Sequence, residues 1–154
     1  MDKPSNILQW NCRGLRSSPP DLQILISTHN PAIICLQKTK LVNSSLNSLR
    51  SYTHHCLPAS PSASLPSGGV SMFIHKSIPS SPITITTNLQ AIAAKISNPH
   101  PLSICSIYLP PRSKWNHNDL QLIINQLPPP IMILGDFNAH NPIWGGSHVD
   151  QAGR

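Results

Sequence analysis

The residues with the clearest chemical potential are Asp136 and Asn138, in the segment Gly135-Asp136-Phe137-Asn138. They follow Ile131-Met132-Ile133-Leu134, a short apolar run bounded by turn-forming residues, which predicts a fully buried strand. Gly135 is expected to let the backbone turn sharply as it leaves that strand. The carboxylate and the carboxamide would then stand at the carboxyl end of a strand, where open α/β sheets place their ligands. An ordinary strand exit is the alternative, because Asp and Asn are common turn residues.

Polar residues close or follow other apolar runs in the same way. The full set of such residues is Asn11, Lys38, Tyr108, Asp136 and Asn138. A single sheet rim could gather all five, and loop residues on a rigid scaffold are disproportionately functional. The alternative is that every strand must end somewhere and that polar residues usually end it.

Short periodic runs predict the elements that would position these residues. Strands are predicted at residues 7–11, 32–37, 70–74, 83–86, 90–96, 102–108 and 131–134. One helix is expected from Pro19-Pro20-Asp21, with Asp21 as its N-cap, to about residues 30–31, and a second from Asn118-Asp119 through Gln126. Residues 57–69 lack periodicity, which predicts a surface loop. This order is typical of a single α/β domain, spanning residues 1–154, with mixed sheets.

Composition limits the chemistry that is available. The chain has 154 residues, enough for one domain with a real core. Its formal charge of +6 favours an anionic partner, nucleic acid first, although the basic residues are scattered and a solvated basic surface is the alternative. The five acidic residues are all aspartates. A mechanism that needs two or three clustered carboxylates is therefore short of material.

No pair of the four cysteines has the spacing of a zinc knuckle or a redox motif. Cys35 and Cys105 lie inside apolar runs, which predicts buried, reduced thiols and a cytosolic or nuclear protein. His54-His55-Cys56 lacks a second ligand group at zinc-site spacing, so we expect a solvated loop there. Nothing in the chain has the pattern of a signal peptide or the length of a membrane span, so we expect an intracellular protein, nuclear or cytoplasmic, without a membrane partner.

Five motifs in order carry a family resemblance. They are Trp10-Asn11-Cys12-Arg13-Gly14, Leu36-Gln37-Lys38-Thr39, Gly68-Gly69-Val70, Ile107-Tyr108-Leu109-Pro110-Pro111 and Leu134-Gly135-Asp136-Phe137-Asn138. Together they resemble the endonuclease/exonuclease/phosphatase superfamily, and within it the apurinic-type endonuclease domain of non-LTR retrotransposons. The segment from Ala139 to Gly145 is similar to the one that follows Gly-Asp-Phe-Asn in arthropod-type elements. The resemblance runs from about Ile7 to the last residue.

The resemblance implies a fold and an activity. The fold would be a four-layer α/β sandwich of the deoxyribonuclease type, with two mixed sheets packed face to face and helices outside. The activity would be the nicking of DNA with Mg²⁺ or Mn²⁺. In a retrotransposon the nick supplies a 3′ hydroxyl that primes reverse transcription, so the implied partners are DNA and a reverse transcriptase domain of a longer polyprotein.

The resemblance also implies residue roles. It assigns catalysis to Asn11, Tyr108, Asp136 and Asn138, metal binding to Asn11, and DNA contacts to Arg13, Arg112 and Asn138. Asp136 would orient and deprotonate the attacking water, Tyr108 would donate to a phosphate oxygen, and Asn138 would bind the scissile phosphate. The alternatives are that Asn11 only bonds backbone, that Tyr108 is a rim aromatic, and that Arg13 is solvated or docks a helix.

Two departures from the family pattern predict an impaired or inactive copy. Lys38 stands where the family has its metal-binding glutamate, and an ammonium has no lone pair for a cation. The family pattern also continues, beyond the position of Arg154, with further strands and a Ser-Asp-His motif. We therefore expect an incomplete second sheet and marginal stability or self-association. The alternative function is a noncatalytic, nucleic-acid-binding remnant; phosphatase or phospholipase activity fits the superfamily but not the region of Trp144-Gly145.

Overall fold

The strands of this chain fall into two groups along the sequence. The computed structural model describes residues 6–15, 19–42, 49–59, 67–97, 100–111, 114–150 and 153–154. The strands in these residues are β1 (Ile7–Asn11), β2 (Ile33–Gln37), β3 (Tyr52–Leu57), β4 (Val70–His75), β5 (Ser80–Ile83), β6 (Gln90–Ile96), β7 (Leu102–Tyr108) and β8 (Ile131–Asp136). The helices are α1 (Pro19–His29) and α2 (His117–Gln126), followed by a 3₁₀ turn at Pro142–Trp144.

Each group of strands forms one mixed sheet. The first sheet has the order β1-β2-β4-β3 and the second has the order β5-β6-β7-β8. The pairs β1/β2 and β7/β8 are parallel, and the other pairs are antiparallel. The predicted α/β fold with mixed sheets is confirmed.

The side chains of β2 show how the layers are built. Cys35 faces inward and packs with Ala94 and Ile104 of the second sheet, whereas Ile34 faces outward and packs with Leu22 of α1. This alternation follows from the two-residue period of a strand. On the opposite side, Ile123 of α2 and Leu127, which follows this helix, pack against the outer face of β7. The order helix, sheet, sheet, helix confirms the predicted four-layer sandwich.

The structure corrects the prediction for His54-His55-Cys56. These residues lie in β3, at the edge of the first sheet, and do not form a solvated loop. The His54 ring stacks on Phe73 of β4 with ring centroids 4.2 Å apart, and its Nε2 lies 3.0 Å from the Ser71 hydroxyl. The sequence pattern missed the strand because two histidines obscure its alternation, whereas cross-strand stacking gives an imidazole an apolar partner.

The strand predicted at residues 83–86 is also wrong in its position. The observed strand, β5, ends at Ile83 and includes Pro82. Proline is tolerated there because β5 is an edge strand, on which a missing amide donor can face away from the ladder. The alternation of Ile83-Thr84-Ile85-Thr86 therefore continues beyond the paired residues.

The helix starts differ from those predicted. Because α1 begins at Pro19, Asp21 lies inside the first turn and is not the N-cap. The N-cap of α2 is Asn116, whose side chain accepts hydrogen bonds from the amides of Asn118 and Asp119. The Asp119 carboxylate accepts from the Asn116 amide in return, at 2.8 Å, which completes a capping box. None of the helices in the described parts of the chain is long and apolar enough to cross a membrane.

The prediction of a fully buried β8 is wrong. In the described residues β8 pairs only with β7 and forms the edge of the second sheet. Its side chains are half-buried, and Met132 is 37% exposed. The continuous apolar run of β8 reflects contacts on both faces, whereas the exposure comes from its position at the edge.

The prediction of buried thiols is confirmed for Cys35 and Cys105. Both cysteines are free and fully buried. Burial raises the pKa of each thiol to about 12, so both stay protonated at neutral pH. Protonated, inaccessible thiols act as small apolar groups in the core.

The histidines of β3 predict a loss of stability in mild acid. Burial lowers the pKa of His54 and of His55 below the usual value, so the unfolded chain binds protons more readily than the folded one. The stability that this difference contributes is present above the unfolded pKa, about 6.5, and is lost as the pH falls towards the folded values. Thermal unfolding between pH 7.5 and 5 should show a falling Tm, with a smaller fall in His54→Phe. The exposed His100→Asn is the control, and an unchanged slope in His54→Phe would contradict this account.

Candidate functional site at the rim of the two sheets

The two parallel strand pairs end at the same edge of the molecule. Asn11 and Gln37 are the last paired residues of β1 and β2, and Tyr108 and Asp136 are the last of β7 and β8. The Asn11 side chain bridges the two sheets, because its Nδ2 donates to the Asp136 carboxylate at 2.5 Å. Residues 125 positions apart in the sequence are thereby joined at this edge, which we call the rim.

Asp136 and Asn138 form a tight local turn. The Asn138 amide donates to the second Asp136 oxygen at 3.0 Å, and the Asn138 side chain donates to the Leu109 carbonyl at 2.7 Å. Asn138 adopts a φ of 44°, in the left-handed region that Asn tolerates better than most residues. Both carboxylate oxygens therefore accept a hydrogen bond, and the carboxyl group is held in one orientation.

Tyr108 lies beside Asp136 in the paired strands. It is only 3% exposed, and burial together with the Asp136 charge raises the pKa of its hydroxyl. The hydroxyl therefore stays protonated at neutral pH and remains a hydrogen-bond donor. Tyr108 also lines a cavity of about 210 Å³ with Gln90, Lys114 and Trp115. A cationic and a phenolic donor thus share one small cavity.

Lys38 leaves β2 at the rim, one residue after the partner of Asn11. It is partly exposed and has a φ of 57°, and among the described residues its ammonium has no hydrogen-bond or ion-pair partner. The backbone beyond it is fixed, because the Thr39 amide donates to the Gly69 carbonyl at 3.1 Å. A β-carbon at position 69 would lie 2.6 Å from the Thr39 hydroxyl oxygen, which explains why a glycine stands directly before β4.

The sequence did not identify Gln37 as part of the site, although a glutamine inside an apolar strand is the available signal. Its side chain is fully buried, accepts from Gln9 Nε2 at 2.5 Å and donates to the Ser106 hydroxyl at 3.0 Å. This bridge joins the two sheets behind the rim. Because buried amides require partners, the bridge fixes how the two strand pairs meet.

The structure also revises the role predicted for Gly135. It lies inside β8 with an ordinary extended backbone, so it does not provide a sharp turn. A β-carbon there would collide with the Ile107 carbonyl oxygen of β7. Glycine is required because the two strands approach closely just before the rim.

The predicted DNA contacts differ in how far the structure describes them. Arg13 is exposed, with a φ of 52°, two residues after Asn11. Asn138 stands at the rim as described above. Arg112 lies outside the described residues. The DNA-binding roles of all three remain predictions.

A second cavity opens directly beside the rim and was not foreseen from the sequence. It measures about 580 Å³, and its walls come from α2, the end of β8 and the 3₁₀ turn. Its aromatic walls are Trp115, Phe137 and Trp144, and Asp136 and Asn138 border it on the rim side. We call it the Trp144 cavity. Its volume lies within the range of small-molecule sites.

The donor atoms at the rim do not fit a divalent cation held by the protein. The Asn11 Oδ1 atom is buried without a partner and is available as a ligand. However, Asp136 is the one carboxylate that the hydrogen bonds of the described residues place at the rim, and the Lys38 ammonium, which follows β2 there, has no lone pair for a cation. In the described residues no group of three His, Cys, Asp or Glu side chains could hold a metal ion.

Comparison with known sequences finds a matching family and several relatives. The sequence profile described as "Endonuclease/Exonuclease/phosphatase family" matches residues 8–154. The chain is 26% identical, over 97% of its length, to a probable RNA-directed DNA polymerase from transposon X-element of Drosophila melanogaster. It is 28% identical, over 94% of its length, to the RNA-directed DNA polymerase from mobile element jockey of Drosophila funebris. It spans only 17% and 16% of these two relatives.

Solved structures share the fold. The endonuclease domain of TRAS1, a telomere-specific non-LTR retrotransposon, superposes with a TM-score of 0.69 and 17% identity, over 97% of this chain and 66% of that domain. The human Nocturnin catalytic domain, solved with a bound sulfate anion, gives a TM-score of 0.65 and 22% identity, over 91% of this chain and 67% of that domain. At these identities the similarity concerns the fold.

Proposed function

Because the chain belongs to the endonuclease/exonuclease/phosphatase family, we propose that it is the endonuclease domain of a non-LTR retrotransposon whose present copy binds DNA but cuts it weakly or not at all. Members of this family generally depend on a divalent metal. The implied partners are DNA and a reverse transcriptase domain in the same polyprotein, and the implied setting is the nucleus or cytoplasm. Nicking for target-primed integration would be the role of an intact copy.

The proposal rests on the composition of the rim. Asn11, Asp136 and Asn138 are joined by hydrogen bonds at the ends of both sheets, in the order that the family pattern requires. Lys38 stands on the same rim in place of a carboxylate. This combination keeps polar groups for a phosphodiester and loses the pair of negative charges that would hold a metal ion.

The charges at the rim favour binding over hydrolysis. Lys38 and the protonated hydroxyl of Tyr108 can both donate to phosphate oxygens, which are strong acceptors. Asp136 is the acceptor that would orient an attacking water. Its negative charge, however, opposes the phosphate unless a cation neutralises both groups. The Lys38 charge offsets part of this repulsion, but an ammonium cannot activate a water as a bound metal ion does, so we expect the phosphate to be held but hydrolysis to be slow.

A nicking assay combined with a binding assay tests the proposal. Supercoiled plasmid incubated with the chain and excess Mg²⁺ should show no nicking above a protein-free control. In EDTA the chain should still bind DNA, with an affinity that falls as salt is raised. Binding that requires Mg²⁺, or robust metal-dependent nicking, would contradict the proposal. Absence of any DNA binding would show that the chain is not a nucleic-acid-binding domain.

A further inference from the structure

We propose that the Trp144 cavity binds an unpaired nucleobase of the nucleic acid whose phosphate is held at the rim. The proposal rests on the proposed function, since it concerns a base attached to that phosphate. It adds a ligand subsite and a preference: single-stranded or locally unpaired DNA that carries a base should bind better than the same backbone without one.

The cavity is continuous with the rim. Asp136 and Asn138 form one of its borders, and they are also the residues that hold the turn after β8. A nucleotide bound through its phosphate at this border would carry its base only a few ångströms away. The remaining walls, from α2 and the 3₁₀ turn, enclose the space that the base would enter.

The chemistry of the walls suits a base rather than a second phosphate. Trp115, Phe137 and Trp144 provide aromatic surface, and Leu120 adds an aliphatic side chain. Bases stack on aromatic side chains irrespective of their identity, because every base has a π face. His117, at the start of α2, and His140, before the 3₁₀ turn, are the imidazole side chains among these walls. The expected ligand is therefore a stacked base, without strong sequence preference.

The Trp144 ring is held ready for stacking. Its indole Nε1 donates to the Ala139 carbonyl at 3.2 Å, and the turn that carries it is capped by Asn141, which accepts from the Ile143 amide at 3.0 Å. Gly145 ends the turn with a φ of 88°, a conformation that favours glycine. Trp144 nevertheless remains 58% exposed, so much of the ring surface is available to a ligand. An oriented and exposed aromatic ring loses little conformational entropy when a base stacks on it.

The cavity also predicts which state of DNA it accepts. A base inside a duplex is stacked on both faces, so it reaches an aromatic pocket only after it leaves the stack. Leaving the stack costs least in single strands and in unpaired positions. A paired duplex should therefore use the rim alone, whereas single-stranded DNA can use the rim and the cavity together.

Two tetranucleotides with the same phosphates test the proposal by calorimetry in EDTA. One is tetrathymidylate and the other carries abasic tetrahydrofuran sugars throughout. The natural chain should bind the thymidylate about tenfold more tightly, the effect expected for one stacked base. Trp144→Ala should bind tetrathymidylate only as tightly as the abasic ligand. Trp144→Phe should keep most of the preference for tetrathymidylate over the abasic ligand. Ile143→Ala, on the same turn and 86% exposed but outside the cavity walls, should have no effect.

The possible outcomes separate this proposal from the one on which it rests. Equal affinity of the natural chain for both ligands would overturn the base site and leave the phosphate site intact. Failure to bind either ligand would overturn both proposals. If Trp144→Ala changes only the oligomeric state by light scattering, a second copy of the chain occupies the cavity and the base site is wrong. An unchanged Tm of Trp144→Ala would show that any loss of affinity does not come from unfolding.

Discussion

Replacing Lys38 by glutamate is expected to create a Mn²⁺ site at the rim that the natural chain lacks. The substitution exchanges an ammonium for a second carboxylate at the rim, where Asp136 supplies the first, and hard cations bind to clustered carboxylate and carbonyl oxygens. The Asn11 Oδ1 atom, which is buried and unpartnered, would supply a third oxygen. Titration with Mn²⁺, followed by calorimetry or by the paramagnetic signal of free Mn²⁺, should show one site in Lys38→Glu and none in the natural chain.

The same substitution should weaken DNA binding when no metal is present. Changing a positive charge to a negative one beside a phosphate costs roughly 1 kcal/mol or more at exposed positions, so the affinity in EDTA should fall about tenfold. Lys38→Gln removes the charge without adding a carboxylate, and its affinity for DNA should fall between the other two. Lys38→Glu combined with Asp136→Asn is the matched control, because it removes the other carboxylate and should abolish the new metal site. Equal Mn²⁺ affinity of the natural chain and Lys38→Glu would contradict our account of the rim.

Alanine at Gly135 is expected to destabilise the fold strongly. The added methyl group would collide with the Ile107 carbonyl oxygen, which belongs to the backbone of β7 and cannot rotate away. Relief requires β8 to move from its neighbour, at a cost of about 2–3 kcal/mol, typical of overpacking in a close contact. For a chain of this size the Tm should fall by about 5–10 °C.

The control for this substitution is Gly145→Ala. A β-carbon at Gly145 meets no atom within 4 Å, so its cost comes only from the left-handed backbone, about 1 kcal/mol. Calorimetric melting of both variants and the natural chain measures the difference. If the Tm falls by the same amount in both variants, the close approach of β7 and β8 at Gly135 does not limit stability.

Local patterns predicted most of the elements correctly. The runs at residues 7–11, 90–96 and 102–108 became strands β1, β6 and β7 with the expected limits. In β6 and β7 the apolar residues of these runs are largely buried, so the pattern reflects burial directly. Prediction failed where tertiary contacts override composition. His54 joins a strand because Phe73 lies across from its ring, and Pro82 joins one because β5 is at an edge. Phe73 belongs to another strand, and the edge position of β5 depends on how the sheet assembles, so no local pattern could show either feature.

The candidate site divides in the same way. From the motifs alone, the sequence determined the family and the polar residues at the strand ends, because these depend only on residue types in order. That Lys38 replaces a glutamate of the family stays a prediction. Only the tertiary structure decided that Asn11 bonds to Asp136, that Gln37 bridges the sheets, and that a cavity bordered by Trp144 opens beside them. The physical reason is that each of these features joins strands from different sheets or distant segments, and such contacts form only when the sheets pack.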